Sequence, residues 1–123
     1  MHKSRPKNLN LFTIRFPLPA IVSILHRISG VALFIFIPFL LSALNYSLTF
    51  SGFEDIHEWL SKGYIKFIIW VLFAPFCFHL IAGIRHLLSD IHVGDSLKGG
   101  RRAAFLTMIF SLLFLILAGV WLW

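Results

Sequence analysis

The stretch FIIWVLFAPFCFHLIAGI, residues 67–84, decides how this chain is read. It carries no formal charge, yet His79 stands inside it. A helix of this length reaches across a bilayer core, where an ionisable side chain is expensive and usually has a task. Arg85 and His86 follow directly. At helical spacing His79, Gly83 and His86 fall at i, i+4 and i+7, a single stripe along one face.

Working outward, two more apolar stretches appear at 28–48 and 103–123. Each is near the roughly 20 residues a spanning helix needs. Only 13% of the 123 residues are charged and 59% are hydrophobic, too few charges to solvate a globule with this apolar load. Backbone groups in lipid must bond internally, so each span is expected to be helical. The expected fold is an all-α membrane protein, a three-transmembrane-helix bundle in one domain. Its spans are expected at about 21–48, 64–87 and 103–123, after an amino-terminal segment 1–20. Pro19 suits a first helical turn, whereas Pro38 and Pro75 lie inside spans, where neighbouring helices tolerate a kink.

Charge placement gives an orientation. Lys3, Arg5, Lys7, Arg15 and Arg27 precede or open the first span, and Arg85, Lys98, Arg101 and Arg102 lie between the second and third. The remaining connection holds Lys62 and Lys66, with Glu54, Asp55 and Glu58 nearby. The positive-inside rule then predicts a cytoplasmic amino terminus and a periplasmic carboxyl terminus. The net charge of +6 is thus a topology signal, and nucleic acid is not an expected partner, since the basic residues flank spans. Tyr46, Trp59, Tyr64, Trp121 and Trp123 fall where an outer aromatic belt belongs. With no cleavable signal or transit peptide before the first span, a bacterial inner membrane is the expected location. The single Cys77 excludes an internal disulfide, a cysteine-ligated iron–sulfur cluster and covalent haem attachment, and reads as a small packing residue.

This topology gathers residues that the sequence separates. Ser23, His26 and Arg27 leave the cytoplasmic side on the first helix, and His79 and His86 return to it on the second. Imidazole is a good iron ligand and apolar helix walls are where b-type haems sit, so the pattern suits a membrane cytochrome. The competing reading makes His79 and Gly83 a helix–helix contact with a bonded histidine. His79 and His86 are about 10 Å apart along one helix and cannot flank the same iron. His26 looks too shallow for that role, which points to a second ligand from another polypeptide. His26, Arg27 and His86 are the residue types that hold haem propionates near the water interface. Ser23 and Arg27 are four apart and suit a quinone carbonyl, although Arg27 also reads as a snorkelling anchor. Asp90 suits either a proton path or a solvated loop.

The motifs then become specific. Arg5-Pro6-Lys7-Asn8-Leu9, Arg15-Phe16-Pro17 and Ser23-Ile24-Leu25-His26-Arg27-Ile28-Ser29-Gly30 resemble the cytochrome b membrane-anchor subunit of succinate dehydrogenase, of the bacterial two-anchor type. His79-Leu80-Ile81-Ala82-Gly83-Ile84-Arg85-His86 resembles its second signature, H-x-x-x-G-x-R-H. The resemblance covers essentially the whole chain. It implies one haem b shared with a second small membrane-anchor subunit, and electron transfer from an iron–sulfur subunit to ubiquinone. Succinate is oxidised at a flavoprotein subunit, with no succinate site in this chain. It implies His79 as axial haem ligand, Ser23 and Arg27 as quinone-binding, and His26, Arg27 and His86 on the propionate side. Asp90 falls on a residue tied to quinone protonation. The loop 91–100 departs from the family pattern, so no role is carried over there. Two rival functions fit a similar bundle: a fumarate reductase anchor working in the opposite direction, and a structural anchor without cofactor.

Overall fold

A computed structural model describes residues 14–94 and 96–123. Lys3, Arg5 and Lys7, together with the Arg5–Leu9 motif, lie outside the described residues. Four helices follow in order: α1 Leu18–Ser47, α2 Phe50–Ser61, α3 Gly63–Asp90 and α4 Leu97–Leu122. There is no strand among the described residues. Of the four, α1, α3 and α4 are long and apolar enough to cross a membrane, and the chain is a multi-pass membrane protein.

Local chemistry explains the helix ends. Pro17 occupies the N-cap of α1 and Pro19 its first turn, where the missing N–H costs nothing. Pro38 and Pro75 sit within α1 and α3, inside helices that continue through them. Thr49 caps α2 by accepting from the Gly52 N–H at 3.1 Å, and Ser96 caps α4 by accepting from Gly99 at 2.9 Å. His92 and Gly94 adopt positive φ in the turn between α3 and α4.

Hydropathy does not mark α2, because acidic residues interrupt its apolar ones. The helix is amphipathic: Phe50, Phe53, Trp59 and Leu60 are exposed, and Glu54 and Glu58 lie on another face. Tyr46 of α1 stacks on Trp59 at 6.3 Å between ring centroids and donates its hydroxyl to Asp55. Lys62 pairs with Glu58 at 3.0 Å at the elbow before α3, and this carboxylate holds the lysine pKa above its ordinary value. The aromatic residues of the expected belt therefore gather at one end of the bundle, where α1 ends and α3 begins.

Contacts along the helices fix an up–down–up arrangement. Lys66, near the start of α3, donates to the Leu122 carbonyl at the end of α4 (3.0 Å), and Trp70 Nε1 donates to Leu115 O (2.7 Å). At the opposite end Val22, Ala82 and Ala104 meet at the centre, one from each long helix, with Leu18 and Phe78 packed around them. Small residues at this crossing bring the backbones close, which is how membrane helices associate without a hydrophobic driving force. Ser29, Thr107 and Ser111 are also buried there; each hydroxyl returns its proton to a carbonyl one helical turn earlier. Most of the large apolar side chains point outward, as suits a chain whose solvent is lipid.

Candidate functional site

The close α1–α3 crossing determines where the histidines go. His26 of α1 and His79 of α3 stack face to face, with centroids 4.1 Å apart and planes 19° from parallel. His86 lies 6.4 Å from His26 in a tilted arrangement. Three histidines from two helices thus form one cluster. The sequence places His26 too shallow to serve as a second iron ligand; the structure nonetheless brings its ring against His79, where small residues let the helices approach.

His79 is held through one nitrogen. Its Nδ1 lies 3.1 Å from the His26 carbonyl oxygen and 3.0 Å from Ser29 Oγ. A carbonyl only accepts, so the first contact assigns the proton to Nδ1 and leaves Nε2 with its lone pair. Ser29 Oγ donates in turn to the His26 carbonyl at 2.8 Å. Among the described residues Nε2 has no hydrogen-bond partner. This is the pattern of ligating histidines, in which a carbonyl fixes tautomer and ring orientation. Gly30 makes room for the ring: a Cβ there would come within 3.0 Å of His79 Cε1.

Gly83 lies where α3 faces α1. A Cβ at Gly83 would meet His26 Nε2 at 3.6 Å, an ordinary contact, so the position is roofed by His26 of the same chain.

Below the stacked rings lies a cleft of about 250 Å³ between α1 and α3. Ser23, His26, Arg85, His86 and Ser89 supply its polar lining, and Pro19, Val22 and Ala82 its apolar floor. Ser23, His26 and His86 are brought together here as the sequence suggests. Arg27 is exposed and does not line the cleft. Four residues advance a helix by about 40° beyond a full turn, enough to carry Arg27 past the edge that Ser23 occupies. Asp90 stands one turn after His86, with 3.5 Å between Oδ1 and Nδ1, so it reaches the cleft through that imidazole. Sequence reasoning missed Ser29, Gly30, Arg85 and Ser89. The Ser29–Gly30 pair lay inside a quoted motif, one turn after His26, and helical phase alone would have put it on the His26 side.

Among the described residues there is no group of three His, Cys, Asp or Glu that would hold a bare metal ion. Fold and site together define a membrane-spanning helical bundle with a histidine cluster at the α1–α3 crossing.

The chain belongs to the family described as the succinate dehydrogenase/fumarate reductase transmembrane subunit, which it matches over residues 1–118. It is 39% identical to the succinate dehydrogenase cytochrome b556 subunit of Coxiella burnetii, with all of both chains covered. The subunit of the same name from Rickettsia prowazekii is 33% identical, over 98% of this chain and 94% of that one. That of Paracoccus denitrificans is 32% identical, over 82% and 78%.

Proposed function

We propose that this chain is the haem b- and quinone-binding anchor subunit of succinate dehydrogenase, passing electrons from an iron–sulfur subunit to ubiquinone. The observation that carries the reading is His79, whose Nδ1 is engaged by His26 O and Ser29 while Nε2 has no partner among the described residues. The names of the relatives, cytochrome b subunits of succinate dehydrogenase, support the same cofactor and direction.

The donor set fits a haem. His79 Nε2 would hold the iron, and His26 Nε2 is buried without a hydrogen-bond partner. Bound there, haem b supplies a one-electron carrier within the membrane. His26 and His79 are stacked at contact distance, so no macrocycle lies between them and they cannot flank one iron. A second ligand would then come from the partner anchor subunit. His26, Arg27 and His86 hold the propionate side with hydrogen-bond donors and positive charge.

Ser23 hydrogen-bonds a ubiquinone carbonyl at the cleft, and Arg27 stabilises negative charge from its rim as the quinone is reduced. Asp90, paired with His86, takes protons from water toward the site. The flavoprotein subunit holds the succinate chemistry. The amino terminus and the 91–96 turn face the cytoplasm, the carboxyl terminus faces the periplasm, and the host is a bacterial inner membrane. Single cysteines at Ser51 and Ser96 are expected to label from opposite sides, with Cys77 silent because it is buried. Labelling of Ser96 from outside overturns the orientation.

The test is the reduced-minus-oxidised spectrum of the assembled complex carrying His79→Gln. The low-spin haem signal is expected to be lost or shifted. An unchanged spectrum and redox potential remove His79 from the role.

A further inference from the structure

Arg85 is the cation that lines this cleft, and it also borders an apolar cleft of about 320 Å³ between α3 and α4. It is half-buried, its Nε is sealed from solvent, and that nitrogen has no hydrogen-bond partner. Among the described residues it forms no ion pair. Burying part of a guanidinium without a partner is costly, and more so at the edge of a membrane. A snorkelling arginine avoids the cost by carrying its head into water. The Nε of Arg85 is sealed and lacks that relief. Exposed Lys98, Arg101 and Arg102 at the start of α4 already provide the interfacial anchors, so anchoring leaves Arg85 unexplained.

The lining of the cleft defines what would satisfy it. Ser23, Arg85, His86 and Ser89 offer hydrogen-bond donors, and His26 adds a second sealed nitrogen with no partner. Among the described residues no Asp or Glu lines the cleft, and the nearby Asp90 is taken up by His86. A site rich in donors and lacking carboxylates selects an oxygen acceptor. A guanidinium adds positive charge, so the acceptor is favoured most when its oxygen gains electron density.

We infer that Arg85 is a quinone-binding residue, donating to the same headgroup oxygen region as Ser23. This inference rests on the reading of the cleft as the quinone site. Arg85 is one residue before His86 and six after His79, so α3 carries both the ligating imidazole and the quinone cation. Arg27 then acts at the rim, and Arg85 within.

The experiment uses the assembled four-subunit complex in detergent, with Arg85→Met, Arg85→Lys and Ser23→Ala compared. Equilibrium binding of a short-chain ubiquinone is measured by calorimetry, alongside quinone turnover and the haem midpoint potential. Arg85→Met is expected to weaken ubiquinone binding at least tenfold. Arg85→Lys, a charge without the planar fork, is expected to recover part of that loss. Normal binding in Arg85→Met with weakened binding in Ser23→Ala overturns the assignment of Arg85 and leaves the cleft as the quinone site. Normal binding in both overturns the cleft reading and the inference together. A shifted haem potential with intact ubiquinone binding also overturns it, because Arg85 then serves a haem carboxylate. Should Arg85→Met fail to assemble, Arg85→Gln decides: binding within twofold of the parent overturns the assignment of Arg85.

Discussion

Along the seam between α1 and α3, the two ends are built from different materials. Between Val22 and Ser29 the helices touch through small residues, stacked imidazoles and hydrogen bonds, and enclose a polar cleft. Beyond Leu33 they part around an apolar cleft of about 540 Å³ lined by Phe36, Ile37, Phe39, Phe73 and Phe76 among others. The first end has directional contacts that allow one arrangement of each ring. The second has only dispersion and shape, which a lipid tail or a neighbouring helix satisfies equally well. Chemistry that needs a fixed nitrogen therefore belongs at the first end. The apolar end can be re-covered without consequence for it.

The sharpest way to break this contrast is to add bulk on each side. Gly30→Val places methyl groups where even a Cβ is within 3.0 Å of the His79 ring. Its haem spectrum is expected to be lost or strongly altered. Phe36→Leu, in the apolar cleft, is expected to keep the parent spectrum. Equal spectral changes in the two variants would erase the distinction.

Charge removal at the rim comes next. Arg27→Leu in assembled complex is expected to slow quinone reduction more than Ser23→Ala, since on the proposed reading it removes a cation from both the quinone region and the haem propionates. Loss of the Ser23 hydrogen bond is expected to cost about 1 kcal/mol, or roughly fivefold in quinone affinity. If both assembled variants turn over normally, Arg27 is a membrane anchor and Ser23 a bystander.

A finer probe is Ser29→Ala. The hydroxyl is one of two partners of His79 Nδ1, and the His26 carbonyl remains. The expected effect is a modest shift in haem midpoint potential with coordination retained, corresponding to about 1 kcal/mol. A potential identical to the parent's would assign the orientation of His79 to the carbonyl alone.

The smallest effect is expected far from the cluster. Trp70→Phe removes the donor to Leu115 O between α3 and α4. Stability in detergent is expected to fall by about 1 kcal/mol, with spectrum and quinone turnover intact. A spectral change would mean that the α3–α4 contact sets the depth of His79.

Much of this was legible without coordinates, for a physical reason. Long uncharged runs have few alternatives in a membrane-sized chain, so three helices follow from hydropathy and backbone bonding. His79 and His86 share a face because helical periodicity is local, and His79 stands out because an ionisable group in such a run is costly. The amphipathic α2 escaped notice, since Glu54, Asp55 and Glu58 break the apolar run that would have marked it. Pairings across helices were another matter. That His26 lies on His79, that Ser29 and Gly30 form the bed of its ring, and that Arg85 rather than Arg27 enters the cleft depend on the crossing and rotation of α1 against α3. Periodicity fixes which residues share a face of one helix. The close approach of Val22, Ala82 and Ala104 decides which faces meet, because only there do the side chains let three backbones come together.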